Sequence, residues 1–369
     1  MDHRKSQVEV VMIDAAFWRN RRVFLTGHTG FKGAWTVLLL RSLGADVYGF
    51  SLPPEDDRGL FVKASVEADV DHMIGDIRDL PCLQSALARA KPDVVIHMAA
   101  QSLVRRSYED PIDTYSTNVM GTANLLEAVR RVAGVAAVII VTSDKCYEST
   151  GARTEYRETD AMGGYDPYSS SKGCAEIVTT AYRRSFFQGE RQTQIASARA
   201  GNVIGGGDWA RDRLVPDTMR AFAAGKVVRI RNPASVRPWQ HVMDPLLGYL
   251  LLAERLMQNG RAFAEGWNFG PHHDSAVPVS VIVEKLARQW GEGARWELDD
   301  GDHPHEAAYL GLDINKAESQ MGWRPLIGLD RALQLTAEWY RALEAGLDMR
   351  DFTRTQIGEV VDSSQVRPN

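Results

Sequence analysis

Short apolar runs alternate with stretches of helical spacing from Arg22 to about Ala200, and this alternation limits the folds open to the chain. Between the runs, Trp35, Leu38 and Leu39 recur on one helix face. The runs are continuously apolar, which is typical of strands buried on both faces of a parallel sheet. The pattern predicts an α/β fold with a doubly wound parallel sheet. The predicted strands are RVFLT, DVYGF, DVVIH, AAVIIVTS and TQIASARA.

The segment VFLTGHTGFKG, residues 23–33, follows the first strand and opens the first helix. Its glycines recur at every third position, where they permit a tight turn and let a diphosphate approach backbone N–H groups at a helix N-terminus. A glycine triplet also occurs in ordinary turns, but its place after the first strand favours a dinucleotide site. The predicted cofactor contacts in this loop are Gly27, Thr29, Gly30, Phe31, Lys32 and Gly33.

The second strand does not decide between NAD and NADP. NAD-binding sheets usually carry an acid at the end of this strand, whereas here it ends at Phe50 and Ser51. Arg58, further on, could instead meet a 2′-phosphate. Asp76, after the next strand, is placed to bind the adenine amino group or, alternatively, to cap a helix. The other predicted cofactor contacts are Ile77, Ala99, Ala100, Gln101 and Asn118.

The character of the chain changes after about residue 200. Glycine and proline become denser, as in GNVIGGGDW and FGPHHDSAVP, and long irregular links separate the helices. We therefore predict a leader at 1–20, a dinucleotide-binding Rossmann domain at 21–200, and a smaller α/β lobe at 201–369 that supplies side chains to a substrate cleft.

In YDPYSSSK, residues 165–172, Tyr168 and Lys172 are four apart and share one helix face. A buried phenol near an ammonium and an oxidised nicotinamide is drawn toward phenolate. To act as a base near neutrality, its pKa must fall from about 10 to about 7, which corresponds to roughly 4 kcal/mol. A surface Tyr–Lys pair is the alternative, which the glycine loop upstream disfavours.

Residues 141–147 read VTSDKCY, so an apolar run ends in two hydroxyls followed by Asp144 and Lys145. An ion pair at a strand end is one interpretation, and a proton-transfer pair beside Ser143 is the other. Proton transfer requires a neutral amine and a neutral carboxylic acid. Burial favours both neutral forms, but the attraction between the two charges opposes them.

The segments TGHTGFKG, HMAAQ, TSDKCY and YSSSK resemble the extended short-chain dehydrogenase/reductases. The titratable pair after Ser143 resembles the nucleotide-sugar 4,6-dehydratases among them. GHTGFKG, SDKCY, RPWQHVMDP and HPHEAAYLGLD resemble the branch that acts on CDP-glucose. The dTDP-glucose branch has two acids where this chain has Asp144 and Lys145. The resemblance implies a hydro-lyase with bound NAD and CDP-glucose as substrate, serving deoxysugar synthesis for lipopolysaccharide and O-antigen.

The resemblance also implies an internal redox dehydration. Tyr168 takes the proton of the sugar 4-hydroxyl while NAD accepts hydride from C4, Ser143 binds that hydroxyl, and Lys172 binds the nicotinamide ribose. Lys145 is then the base at C5 and Asp144 the acid at O6, or the two exchange roles, and hydride returns to C6. The alternatives are another nucleotide-sugar 4,6-dehydratase, an epimerase or reductase of the same superfamily, and a catalytically silent dinucleotide-binding scaffold.

Arginines are the natural ligands of the sugar diphosphate, since a guanidinium binds phosphate oxygens bidentately. Arg213 and Arg237 are the candidates, each with a surface position as the alternative, and Trp239 is a candidate with the core as its alternative. We expect no metal site. The predicted substrate contacts are Gln101, Ser143, Asn202, Arg213, Arg237, Trp239, His305 and Tyr309.

Bulk properties exclude several partners. A net charge of -5 and the absence of basic runs argue against nucleic acid. The apolar runs are too short for a membrane span, and the N-terminus lacks a secretory core, so we expect a cytoplasmic protein. Predicted helices near 105–131 and 168–188 carry apolar residues on more than one face. We therefore expect a homodimer through a four-helix contact, or a tetramer built from it.

Overall fold

A computed structural model describes residues 13–149, 155–189, 193–299, 301 and 311–365 of the chain. Its strands are β1 (Arg22–Thr26), β2 (Asp46–Ser51), β3 (Asp71–Ile74), β4 (Val94–His97), β5 (Ala137–Val141), β6 (Glu155–Tyr156), β7 (Gln194–Arg199), β8 (Val203–Ile204), β9 (Val228–Ile230), β10 (Val236–Pro238), β11 (Gln240–His241), β12 (Gly266–Asn268), β13 (Ala276–Pro278), β14 (Trp296–Leu298) and β15 (Gly311–Leu312). Its α-helices are α1 (Ala15–Trp18), α2 (Phe31–Ser42), α3 (Leu60–Lys63), α4 (Leu80–Ala90), α5 (Val104–Glu109), α6 (Pro111–Tyr115), α7 (Gly121–Arg131), α8 (Pro167–Phe186), α9 (Leu214–Ala223), α10 (Met243–Asn259), α11 (Val279–Trp290), α12 (Leu329–Glu344) and α13 (Met349–Gln365).

The main sheet is parallel and doubly wound, as predicted. Within the described residues its seven strands run in the order β12-β7-β5-β4-β1-β2-β3. The chain builds outward from β1 to β3, then returns to add β4 on the other side of β1. The order therefore reverses between β1 and β4, and ligands of such sheets bind beyond the carboxyl ends of the strands at that point.

Alternate side chains of each central strand enter two different hydrophobic cores. Val23 and Leu25 of β1 pack with α2 and α10 in the larger core, while Phe24 packs on the opposite face with α4 and α7. In β5, Ile139 packs in the larger core and Val138 packs in the core on the opposite face. Both faces of these strands are covered, which explains why their sequences are continuously apolar.

The second half of the chain extends the main sheet and also contributes strands to short two-stranded sheets. β12 pairs with β7 in parallel, so the sheet gains an edge strand from residues beyond 200. Helix α10 packs against β5 and β7. The remaining short strands form two-stranded pairs: β10 with β13, β11 with β8, β14 with β9 and β15 with β6.

The predicted leader is described from residue 13 onward, and residues 1–12 lie outside the described residues. Trp18 of α1 is fully buried, and its indole N–H donates to Glu254 at 2.7 Å. Residues 13–18 are therefore docked on α10 through this contact. Among the described helices, none is long and apolar enough to cross a membrane.

Candidate active site

The glycine loop between β1 and α2 leaves little room for side chains. Gly27 has φ +78°, and a Cβ there would lie 2.7 Å from the backbone nitrogen of Ala99. A Cβ on Gly33 would lie 2.0 Å from the Gly27 carbonyl oxygen. Helix α2 therefore begins at Phe31 against bare backbone at the carboxyl end of β1. This arrangement fits the diphosphate of a dinucleotide, which binds N–H groups at a helix N-terminus.

The end of β2 carries a hydroxyl where many NAD-binding sheets carry an acid. The Oγ atom of Ser51 lies 2.8 Å from Thr29 Oγ1, which ties the glycine loop to this strand. Arg58, the candidate for a 2′-phosphate, is bound by Asp56 at 3.0 Å and lies over the Trp209 ring at 4.4 Å from its centroid. Because Arg58 is engaged within the protein, the site favours NAD.

Asp76 lies beyond the carboxyl end of β3. Its carboxylate accepts hydrogen bonds from the backbone N–H and the Nε of Arg78 at 2.9 and 3.0 Å, and these bonds hold the pKa of Asp76 below its usual range. Asp79 caps α4, so the helix-cap interpretation of Asp76 is wrong. Ile77 is buried against Gly121, where a Cβ would lie 2.4 Å from it. A contact between Asp76 and the adenine ring stays a prediction.

Gln101 and Asn118 hold the walls of the cleft together. The Asn118 amide nitrogen donates to the Gln101 carbonyl and to Ser171 Oγ at 2.9 and 2.8 Å, and its oxygen accepts from the Gln101 N–H. The Gln101 amide nitrogen donates to Leu103 and Thr114. Asn118 lies in a π-helical turn between α6 and α7, a feature frequent at functional sites. These amides position the segment after β4 against α8, and their ligand contacts stay predictions.

The Asp144 carboxylate is held by neighbours other than Lys145. Ser143 Oγ donates to Oδ1 at 2.8 Å, and the Asn202 amide donates to Oδ2 at 3.3 Å. A Cβ on Gly201 would lie 1.9 Å from Oδ2, so the carboxylate rests on that backbone. Among the described residues, Lys145 makes no ion pair with Asp144, and its backbone N–H donates to Ser143 Oγ at 3.3 Å. The strand-end ion pair is therefore wrong, and the two side chains can act separately.

Helix α8 presents Tyr168 and Lys172 to the same cleft. They are 8% and 7% exposed, so the surface-pair interpretation is wrong. Burial raises the pKa of Tyr168 to about 12, while the Ser143 hydroxyl and the Arg213 guanidinium oppose it. Burial lowers the pKa of Lys172 to about 8. Arg213 is thus a second cation near the phenol, one that the sequence did not predict there.

Lys32 faces the catalytic charges from the first turn of α2. Burial lowers the pKa of Lys32 to about 7, and the charges of Arg213 and Lys172 lower it further. The carboxylates of Asp144 and Asp208 oppose this shift. From the sequence, Lys32 was predicted as a cofactor contact alone, because these four neighbours are remote from it along the chain.

The Arg213 side chain connects two segments of the chain at the cleft. Its guanidinium donates to Ser102 Oγ and to Asp208 Oδ2, each at 3.0 Å, and its side chain is 35% exposed. It therefore lies at the cleft mouth with one face toward solvent. Arg237 is buried, so a surface position is wrong for it. Trp239 packs in the larger hydrophobic core, which matches the core interpretation of this residue.

Two polar groups at the site, Glu176 and Asp208, were not predicted from the sequence. Glu176 stands one turn beyond Lys172 on α8, a spacing that could have marked it. Asp208 ends the glycine run GGGD, where an acid after a loop could have been noticed. Among the described residues, no cluster of three or more metal-binding side chains occurs. The predicted contacts that lie outside the described residues are His305 and Tyr309.

Comparison with known proteins identifies relatives along most of the chain. The family model of GDP-mannose 4,6-dehydratase matches residues 24–336. The chain is 50% identical over 357 residues to the CDP-glucose 4,6-dehydratase of Salmonella typhimurium, which covers 96% of this chain and 99% of that one. It is 26% identical over 332 residues to a dTDP-glucose 4,6-dehydratase of Xanthomonas campestris pv. campestris, covering 86% of this chain and 92% of that one.

Solved structures share the fold. The UDP-glucose 4-epimerase of Brucella ovis in complex with NAD superposes with a TM-score of 0.75 at 24% identity, covering 87% of this chain and 98% of that one. A dTDP-glucose 4,6-dehydratase of Streptomyces venezuelae with NAD bound gives a TM-score of 0.74 at 24% identity, covering 88% of this chain and 98% of that one. The sheet and its covering helices are thus common to dehydratases and epimerases.

Proposed function

This chain belongs to the GDP-mannose 4,6-dehydratase family, and on that premise we propose that it is a CDP-glucose 4,6-dehydratase. It converts CDP-glucose to CDP-4-keto-6-deoxyglucose and water, which makes it a hydro-lyase. The observation that carries the proposal is the half-identical sequence, over nearly its full length, of an enzyme with that name. The cofactor is NAD, which the bare glycine loop and the hydroxyl at the end of β2 accommodate.

NAD supplies, when bound, a hydride acceptor for C4 that returns the hydride at C6, and a positive ring that favours the Tyr168 phenolate. Tyr168 takes the proton of the sugar 4-hydroxyl. Ser143 binds the same hydroxyl, and its contact with Tyr168 and its bond to Asp144 support this role. Lys172, one turn beyond Tyr168, binds the nicotinamide ribose.

The elimination of water uses the two side chains after Ser143. The new 4-ketone acidifies the C5 proton, which Lys145 removes, and Asp144 protonates the departing 6-hydroxyl. Ser143 and Asn202 donate to the two oxygens of the Asp144 carboxylate, and these bonds fix the orientation of its side chain. Because Lys145 makes no ion pair with that carboxylate among the described residues, one interaction that would keep its amine charged is absent.

The diphosphate of the substrate binds to guanidinium groups beside the cleft. Arg213 lies at the mouth, where its exposed face can meet phosphate oxygens. Arg237 and Asn202 are the further contacts, and a negatively charged substrate offsets the positive charge of Lys32 and Arg213.

We expect the purified protein to release a 4-keto-6-deoxy sugar nucleotide from CDP-glucose, detected as the mass loss of one water. The turnover number divided by KM is expected to be at least about tenfold higher for CDP-glucose than for dTDP-, UDP- or GDP-glucose, because a site that hydrogen-bonds one base leaves polar groups unpaired with another. The assay is run with and without added NAD.

Two results contradict this function. Unchanged CDP-glucose from protein that binds NAD favours the silent scaffold, and a 4-epimer favours the epimerase. With deuterium on C4 of the substrate, retention of the label in the new methyl group is the expected outcome. Loss of the label to solvent contradicts the internal transfer.

The assembly we propose is a homodimer through α5, α6, α7 and α8. Ile112 of α6, Ile177 of α8 and Met120, in the π-helical turn before α7, are between 55% and 76% exposed. The Tyr115 hydroxyl and Ser170 Oγ lie 2.6 Å apart and hold the helices side by side. Two copies that face each other would cover this apolar surface.

Replacing Ile112 and Ile177 together with aspartate is expected to convert the dimer to a monomer in light scattering, because four carboxylates would enter one apolar contact. Leu347→Asp is the control, since Leu347 is 53% exposed in the turn between α12 and α13. A monomeric wild-type protein, or a double variant that stays dimeric, contradicts this interface.

A further inference from the structure

The Glu176 carboxylate joins the two elements that carry the catalytic side chains. Glu176 lies on α8, one turn beyond Lys172, and its Oε1 accepts a hydrogen bond from Thr142 Oγ1 at 2.5 Å. Thr142 directly precedes Ser143 at the carboxyl end of β5. The bond therefore connects the helix of the proton acceptor to the strand end that holds the sugar hydroxyl.

Two further groups bind the same carboxylate. Ser197 Oγ and Arg199 Nη2, both from β7, donate to Glu176 Oε2 at 2.6 and 2.8 Å. The side chains of Glu176 and Arg199 are 3% and 6% exposed. Burial would raise the pKa of Glu176, but Arg199 and the two hydroxyls outweigh it and hold that pKa below its usual range. A charged carboxylate thus binds three donors from two strands.

The charge of Glu176 also reaches the catalytic lysine. Burial lowers the pKa of Lys172, and Cys146 and Glu176 oppose this shift. The carboxylate therefore helps Lys172 to stay charged. Thr142 and Lys172 lie on different elements, and the Glu176 carboxylate interacts with both.

We propose that Glu176 is a positioning residue that sets the distance between the Tyr168–Lys172 helix and the Ser143–Asp144 strand end. The inference rests on the proposed function, since it assigns Glu176 a part in that reaction. If Glu176 only stabilised the fold, the loss of any one of its hydrogen-bond donors would change kcat to a similar extent. If Glu176 positions the reacting groups, the loss of the Thr142 hydroxyl lowers kcat most, because Thr142 is the donor that directly precedes Ser143.

The test removes the donors rather than Glu176, since Glu176→Gln would take the charged carboxylate away from the buried Arg199 guanidinium and would destabilise the fold. Thr142→Val keeps the side-chain shape and removes one hydrogen bond to the carboxylate. Ser197→Ala is the matched variant, which removes one such bond from β7. We expect Thr142→Val to lower kcat about tenfold, and Ser197→Ala by less than about twofold, because misplaced reacting groups slow the chemical step.

The KM for CDP-glucose and the affinity for NAD are expected to stay unchanged in both variants. Thr142→Ser keeps the hydroxyl and is expected to restore kcat. Equal losses of kcat in Thr142→Val and Ser197→Ala, or an unaffected Thr142→Val, overturn the inference. A wild-type protein that oxidises another nucleotide sugar contradicts the proposed substrate, yet the ratio of the variants on that sugar still decides the role of Glu176.

Discussion

Tyr168→Phe is expected to lower kcat by about 100- to 10,000-fold, the usual contribution of a positioned acid or base. The substitution removes only the phenol oxygen, which is the atom that accepts the proton of the sugar 4-hydroxyl. Without that acceptor, oxidation at C4 is blocked at its first step. A single turnover of enzyme with bound NAD should then show no absorbance of reduced cofactor, whereas the wild-type protein should show it transiently.

Tyr249→Phe is the matched control for this variant. Tyr249 is fully buried, and its hydroxyl has no hydrogen-bond partner among the residues that the structure describes. Removing that hydroxyl is expected to leave kcat within about twofold, because no bond is lost. If Tyr168→Phe keeps full activity, or if both variants lose it equally, Tyr168 is not the proton acceptor.

The sheet was predictable because its strands carry a local signal. RVFLT and DVYGF coincide with β1 and with most of β2, since strands covered on both faces leave continuous apolar runs. β12 was not predictable in this way. It has three residues, Gly266–Asn268, and it is a strand through its pairing with β7, which lies far from it in the sequence. Strands of this length are defined by tertiary contacts.

In the candidate site, too, the features with a local sequence signal were predictable and those made by tertiary contacts were not. The shared helix face of Tyr168 and Lys172 follows from their spacing, and the glycine loop follows from its place after β1. The neighbours of these groups do not follow from local patterns. Asn202 was expected at the sugar diphosphate, and it donates to Asp144 because the chain after β7 folds across the end of β5. The chain segment after β7 also brings the charge of Arg213 near Tyr168.

Asp144→Asn is expected to separate the two halves of the reaction. The amide keeps the shape of the carboxylate, but it cannot protonate the departing 6-hydroxyl, so kcat should fall by about 100- to 10,000-fold. Oxidation at C4 needs Tyr168 and is expected to continue. Reduced cofactor and a 4-keto sugar that still carries its 6-hydroxyl should therefore accumulate in a single turnover, seen by absorbance and by mass.

Exchange of the C5 hydrogen with heavy water then assigns the two roles. If Lys145 removes that proton, Asp144→Asn still exchanges C5 while elimination stalls, and Lys145→Met loses both exchange and elimination. The opposite result, with exchange lost in Asp144→Asn and kept in Lys145→Met, would mean that the carboxylate is the base. Lys145 makes no ion pair with Asp144 in the described part of the chain, so neither side chain holds the other in its charged form, and the exchange experiment decides between the two assignments.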